Sequence, residues 1–379
     1  MSIAATWVMG DPQAPFETVL AVLRNHGALD GDRLRAGVRL ISVGDHFDYD
    51  LENPVAAGRE GLRVLRWLTS HDAAQVTVLL GNHDASRVME LAALDDAEFA
   101  AAQTLARSIL ATRRHDGWEA AEHREAVEFR PRFPSVPTIG LVARDYAGFH
   151  TEQRTLVMEL LLAGRFHLAA TERLPDGRPV LITHAGVVQR ELDLLGIADE
   201  REPAVIAAAL EARLQAGVEH CRASWERGIV EPLSLAPLHL PGDPEAGEGG
   251  GLLYHRPASP DRAEADRGWE MNASRPRRFD PHELPLGLTQ IAGHTGHTKC
   301  VAELGDWPTE RARARRRGGI RTLRRGEDGT IIYDLGVLER SADVSDLILV
   351  DGEMARVEPV SYQLLPLAWS ADALPRTPP

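Results

Sequence analysis

The sequence predicts an α/β fold built around a mostly parallel sheet, and three observations predict it. A strand–loop–helix unit comes three times in the first half of the chain. Five apolar runs end in loops that offer Asp, Asn or His. The 379 residues, 44% of them hydrophobic, suffice for a sizeable core in two domains or one large α/β domain with insertions.

The elements follow in order. Trp7-Val8-Met9 reads as a strand, Gly10-Asp11-Pro12 as its loop, and Phe16, Val19, Leu20 and Leu23 recur at helical spacing. Residues 38–43 run into Gly44-Asp45, with a helix from about 56 to 67 behind the start signal of Pro54. Residues 76–80 end at Gly81-Asn82-His83-Asp84, and an Ala/Glu/Arg-rich stretch to about 128 reads as helices. Residues 166–170 and 179–183 flank Pro175-Asp176-Gly177 and are expected to form a hairpin whose second strand runs into His184. A helix is expected over 203–217, and the Pro/Gly-rich 232–251 is expected to be an insertion or lid. Residues 288–292 then meet Gly293-His294, and short antiparallel strands are expected at 320–323, 330–335, 347–350 and 355–360. Residues 1–366 are therefore expected to form one domain, with a helical insertion at about 85–150 and a lid at about 196–285, and 367–379 a flexible tail.

Composition removes several function classes. With 42 basic against 56 acidic side chains the net charge is −14, so nucleic acid is not an expected partner. Lys299 is the only lysine and Thr298 precedes it, which rules out a Gly-Lys phosphate loop. Cys221 and Cys300 belong to no Cys-x-x-Cys pair and are expected to be buried. No apolar stretch approaches the roughly 20 residues of a membrane span, and the opening residues lack a signal-peptide layout, so a cytoplasmic protein without membrane contact is expected. The arginine-rich stretch 311–325 lacks interleaved aromatic residues and is expected to be a solvated loop. Trp7, Trp67 and Trp269 are expected in packing.

The five strand ends carry Asp11 with Gln13, Asp45, Asn82, His184 and His294. Singly, a Gly-Asp after a strand is a turn former. Together, at the carboxyl ends of parallel strands where ligands gather, four oxygen donors and two imidazoles suit a pair of divalent ions such as Mn²⁺, Fe²⁺ or Zn²⁺, with Asp45 bridging them.

In order and spacing over about residues 6–300, the motifs Gly10-Asp11-Pro12-Gln13, Gly44-Asp45-His46-Phe47-Asp48, Gly81-Asn82-His83-Asp84, His184 and Gly293-His294-Thr295 resemble the calcineurin-like metallophosphoesterases. Residues 250–256 resemble more loosely the corresponding stretch of protein phosphatases and symmetrical dinucleoside tetraphosphate hydrolases. The resemblance implies a layered α/β/β/α sandwich with two central mixed sheets and the metal site at the strand carboxyl ends. It implies a metal-dependent phosphoesterase that cleaves a phosphomonoester, on a Ser/Thr phosphoprotein or a small metabolite, by attack of a hydroxide bridging two ions, most readily Mn²⁺. His83 would be the general acid, oriented by Asp48, and Arg87 and Arg256 would hold the phosphate. The alternatives are dinucleoside polyphosphate hydrolysis and a metal-binding regulator without turnover.

Three departures from the family pattern bear on this. Gln13 stands where the pattern has His and offers a neutral, weaker oxygen ligand. Asp48-Tyr49-Asp50 stands where many phosphatases have Asp-Arg-Gly. His297 comes three residues after His294 instead of two.

Overall fold

The computed structural model describes residues 5–245, 247–261, 277–315 and 317–369. Strands β1 (Ala5–Met9), β2 (Val38–Ser42), β3 (Val76–Leu79) and β4 (Phe166–His167) pair in parallel, in that order. A second sheet takes β5 (Ala169–Arg173), β6 (Pro179–Thr183), β7 (Thr289–Ala292), β8 (Arg321–Gly326), β9 (Ile331–Leu335) and β10 (Val344–Leu349) in the order β9-β8-β10-β7-β6-β5. Its central β6, β7 and β10 are parallel, and β5, β8 and β9 are antiparallel to their neighbours. Finally β11 (Leu365–Trp369) returns to the first sheet, antiparallel to β1. Both sheets are mixed, as expected.

The alternation of side chains along each strand sorts the core into layers. Val8, Ile41 and Leu79 from the first sheet meet Val180, Ile182, Ile291 and Ile348 from the second, all of them buried between the sheets. The opposite faces carry helices. α1 (Phe16–Asn25) buries Val19, Leu20, Val22 and Leu23, and α2 (Pro54–Thr69) starts at Pro54 behind Asn53, whose side chain caps the Ala56 N–H. The expected helical insertion contains α3 (Asp96–Asp116) and has its own core of Phe99, Phe129, Tyr146 and Phe149. Helices α4 (Thr151–Leu162), α5 (Pro203–Trp225) and α6 (His297–Glu303) follow. No helix of the described residues is long and apolar enough to cross a membrane.

Several local expectations are corrected. Only β5 and β6 form the hairpin; residues 166–167 belong to the other sheet, and the chain crosses between sheets at the buried Leu168. Residues 203–225 are no part of a lid: α5 lies against β5 and β6, which its buried Ile206, Leu210 and Leu214 cover. Residues 232–251 are packed as well, with Leu233, Leu235 and Leu238 buried in the main core. The strand expected at 355–360 is replaced by the short turns Met354–Arg356 and Pro359–Ser361, because Glu353 takes a left-handed conformation and Pro359 donates no ladder hydrogen bond. Extension resumes at Leu365, and residues 367–369 belong to β11 instead of a tail; Leu365 and Leu367 bury between the sheets. Residues 370–379 lie outside the described residues, as do Trp269 and Arg316.

The stretch 311–325 is no solvated loop either. Arg321 is buried against the carbonyls of Thr295 and Gly319, Arg324 bonds Asp346 at 2.7 Å and Arg311 bonds Asp334 at 2.9 Å. Cys221 and Cys300 are free and buried, as expected.

Because Ile291 is fully buried where the two sheets meet, Ile291→Ala is expected to cost about 2–5 kcal/mol. The check is the urea midpoint at unchanged slope.

Candidate metal centre

Six parallel strands place their carboxyl ends along one edge. β1, β2 and β3 deliver Asp11, Asp45 and Asn82, and β6 and β7 deliver His184 and His294. The sixth, β10, delivers Asp351, a residue not singled out in the sequence; the signal was present, since its apolar run also ends in Asp-Gly. A cleft of about 600 Å³ opens on this edge, lined among others by Asp11, Gln13, Asp45, Asp48, Asn82, His83, Arg256, His294 and Asp351.

The glycines before these residues have a steric reason. A Cβ on Gly81 would lie 2.2 Å from Asp45 Oδ1, and one on Gly293 would lie 2.0 Å from Asp11 Oδ1. Each carboxylate thus occupies the space that a side chain on a neighbouring loop would fill. Asp45, Asp48 and His294 have φ of 59°, 66° and 62°, left-handed values that the surrounding bonds must enforce. Those bonds are visible. Asp84 accepts from the backbone N–H of Asp45 (2.9 Å) and of Gly81 (3.0 Å), His46 Nδ1 lies 3.0 Å from both Asp84 oxygens, and Asp11 accepts the His294 N–H at 3.0 Å. His46 is therefore buried behind the Asp45 loop.

Asp45, His184 and His294 each offer a ligand atom within 4.8 Å of the others. His184 Nδ1 faces the Val43 carbonyl at 2.8 Å and His294 Nε2 faces the Tyr254 carbonyl at 2.9 Å, which assigns the proton to those nitrogens in the neutral rings. The remaining atoms, His184 Nε2 and His294 Nδ1, are 3.2 Å apart and both present lone pairs. Asn82 Oδ1 lies 3.1 Å and Asp45 Oδ1 3.4 Å from the same His184 nitrogen. Protonating His294 would relieve the conflict, but burial and then the Arg256 and His184 charges hold its pKa well below the ordinary value. Four electron-pair donors facing one point without a proton between them fit a divalent cation, and this carboxylate–amide–imidazole set suits a transition metal.

Beside it, burial and then the Asp351 and Asp45 charges push the Asp11 carboxyl well above its ordinary pKa. Burial likewise raises that of Asp351. Gln13 spends its Nε2 on the Phe47 carbonyl at 2.8 Å, which leaves its amide oxygen as the ligand atom on the cleft wall.

His83 donates its backbone N–H to Asp45 Oδ1 at 2.9 Å, and its ring Nδ1 lies 2.9 Å from Asp48 Oδ2. Its Nε2 is 4.0 Å from Asp45 Oδ2, at the cleft. Burial lowers the His83 pKa, but the Asp45 and Asp48 charges outweigh it and hold the imidazole above its ordinary value. For Asp48 burial acts upward, and Arg87 and His83 bring the carboxyl below its usual range.

Arg87, expected to hold the phosphate, does not line the cleft. It is fully buried, stands 2.7 Å from Asp48 Oδ2 and bonds the His83 carbonyl at 2.7 Å and Gln153 at 3.2 Å. Its helical turn points it away from the cleft, to the back of the carboxylate. Arg256 lines the cleft. His297 lies away from it, stacked on Tyr333 with a 2.8 Å bond to the Tyr333 hydroxyl. Residues missed in the sequence are Asp351, Tyr254 and Lys299. Tyr254 acts through a carbonyl, which no residue type betrays, and Lys299 follows no strand end.

No family model and no curated protein matches the chain. Among solved structures it is similar to a cold-active protein tyrosine phosphatase, at 13% identity over 78% of this chain and 65% of that one, with a TM-score of 0.32. The cold-active protein-tyrosine phosphatase of a psychrophile, Shewanella sp., is similar at 13% identity over 59% of this chain and 52% of that one, with a TM-score of 0.26. The chain thus spans less than two thirds of the length of either, and likeness of this degree carries no argument about activity.

Two outcomes are expected. His184→Ala should bind about one Mn²⁺ fewer than the unaltered protein by elemental analysis after dialysis. In metal-free protein Asp11 and Asp351 bind protons more tightly folded than unfolded, so they withdraw stability as pH rises from 3.8 through their raised native values. The increase in melting temperature on adding Mn²⁺ should therefore grow with pH across that window, and Asp11→Asn should blunt the growth.

Proposed function

We propose that the chain is a metal-dependent phosphoesterase of the calcineurin-like type, which hydrolyses a phosphomonoester of a phosphoprotein or small metabolite by direct attack of water. The observation that carries this reading is the convergence of lone pairs from Asp45, Asn82, His184 and His294 next to a His83–Asp48 pair on one cleft. One cation would be held by those four side chains, and a second by Asp11, Gln13 and the shared Asp45, with Mn²⁺ suiting both sites. When bound, the ions supply electrostatic activation of a water nucleophile and neutralise charge on the phosphoryl oxygens.

The protein's own groups supply the rest. Asp48 fixes the His83 ring, so that Nδ1 carries the proton it shares with the carboxylate and Nε2 faces the cleft. The Asp45 and Asp48 charges, by raising its pKa, favour the protonated imidazole, which suits it to hand the Nε2 proton to the leaving oxygen. Arg87, from behind, holds Asp48 ionised and in place. Arg256 offers a guanidinium fork to the phosphoryl oxygens on the wall next to His294.

With Mn²⁺ and a chromogenic phosphate monoester, the unaltered protein should turn over and Asp45→Asn should not; equal rates would refute the assignment. His83→Gln is expected to lower kcat by about 10²–10⁴. Asp48→Asn removes one of the charges that hold the His83 pKa up, so the alkaline limb of the pH–kcat profile should move to lower pH. A limb that stays in place would exclude His83 as the proton donor.

A further inference from the structure

Behind the metal centre lies a chain of three polar side chains for which the proposed reaction has no use. Ser42, at the end of β2, puts its Oγ 3.1 Å from His46 Nε2, and His46 Nδ1 is 3.0 Å from each oxygen of Asp84. The order hydroxyl–imidazole–carboxylate is that of a nucleophilic triad, but none of the three lines the cleft and all are at most 1% exposed, so no substrate reaches Ser42. What the chain does reach is backbone. Asp84 accepts the N–H groups of Asp45 at 2.9 Å, His46 at 3.2 Å and Gly81 at 3.0 Å. One carboxylate therefore spans the two loops that present Asp45 and Asn82. Those loops touch, since a Cβ on Gly44 would lie 2.6 Å from the Gly81 nitrogen. A rotation of Asp84 would thus change where Asp45 and Asn82 point relative to each other. Protons set the direction of the chain. A carboxylate accepts and does not donate, so His46 Nδ1 carries the ring proton toward Asp84. In the neutral ring Nε2 is then an acceptor, and the Ser42 hydroxyl donates to it. Without that hydroxyl the other tautomer is open to the ring, and in it Nδ1 turns a lone pair on the Asp84 carboxylate.

We propose that Ser42, His46 and Asp84 form a positioning relay that sets the affinity of the centre for its cation. Ser42 selects the His46 tautomer, His46 aims Asp84, and Asp84 fixes the spacing between Asp45 and Asn82. This rests on the cation site of the proposed function and not on the identity of its substrate.

The test is the Mn²⁺ dissociation constant of the full chain at the site that His184→Ala removes, read from the paramagnetic resonance signal of the free ion, beside the melting temperature of the metal-free protein. The amide nitrogen of asparagine stands where histidine has Nδ1, and that of glutamine where it has Nε2. His46→Asn therefore keeps a donor for Asp84 and should stay within about threefold of the unaltered protein, whereas His46→Gln loses it and should bind Mn²⁺ about 10- to 100-fold more weakly. Ser42→Ala should weaken binding in the same direction, by less. Phe166→Leu trims the ring that meets His46 edge-on at 6.2 Å, and should lower the melting temperature while leaving the Mn²⁺ affinity unchanged. Equal affinities for His46→Asn and His46→Gln, or an affinity that follows the melting temperature through all four variants, overturn the proposal. Should the His46 variants fail to fold, an unchanged Mn²⁺ affinity in Ser42→Ala overturns it alone. Weakening in His46→Gln and Ser42→Ala, in a protein that hydrolyses no phosphate ester, would overturn the phosphoesterase reading and leave the relay standing. Ester hydrolysis with unmoved affinities would do the reverse.

Discussion

Electron pairs with nowhere to go are the constraint on which this architecture depends. His184 Nε2 and His294 Nδ1 sit 3.2 Å apart with their protons committed to carbonyls on the far side of each ring, and an amide oxygen and a carboxylate face the same gap. Such an arrangement is costly when dry and empty. The fold imposes it by bringing six parallel strands to one edge and by fixing the loops with bonds that the residues at the edge cannot relax. Asp84, itself held by His46, fixes the Asp45 loop; Asp11 fixes the His294 loop. The left-handed φ values at Asp45, Asp48 and His294 show how firmly these bonds hold, because none of the three residues adopts that conformation without compensation.

Much of this was legible in the sequence, for identifiable reasons. Buried parallel strands write themselves as short apolar runs, and a glycine beside an acid or a histidine at the end of a run marks a loop where backbones and carboxylates crowd together. Gly81 and Gly293 show why the pattern is so recognisable: the space that a side chain would fill is already taken by the carboxylate of Asp45 or of Asp11. The residues at five of these strand ends could therefore be named from order alone, while Asp351 after β10 was passed over.

The rest was hidden because it depends on direction and on backbone atoms. Arg87, a few residues after Asn82, has the chemistry of a phosphate clamp, yet the turn that starts at Asn82 aims it inward to Asp48. The Tyr254 carbonyl, which decides the His294 tautomer, belongs to a residue whose side chain suggests packing. Residues 355–360 carry the composition of a strand, and the left-handed Glu353 and Pro359 override it. Arginines spread over 311–325 suggest a charged surface, but Arg311, Arg321 and Arg324 each find an acceptor, the last two of them inside the molecule. Charge counted along a chain says little about charge in space.

The pairing of β11 with β1 has a bearing on how the protein comes to exist. Asp11 follows directly on β1, one flank of which is covered by β2 and the other by a strand beginning only at Leu365. A chain emerging from the ribosome therefore exposes a bare strand edge beside Asp11 until residues 365–369 have been made. A nascent polypeptide halted before residue 365 would display that edge to any sticky neighbour.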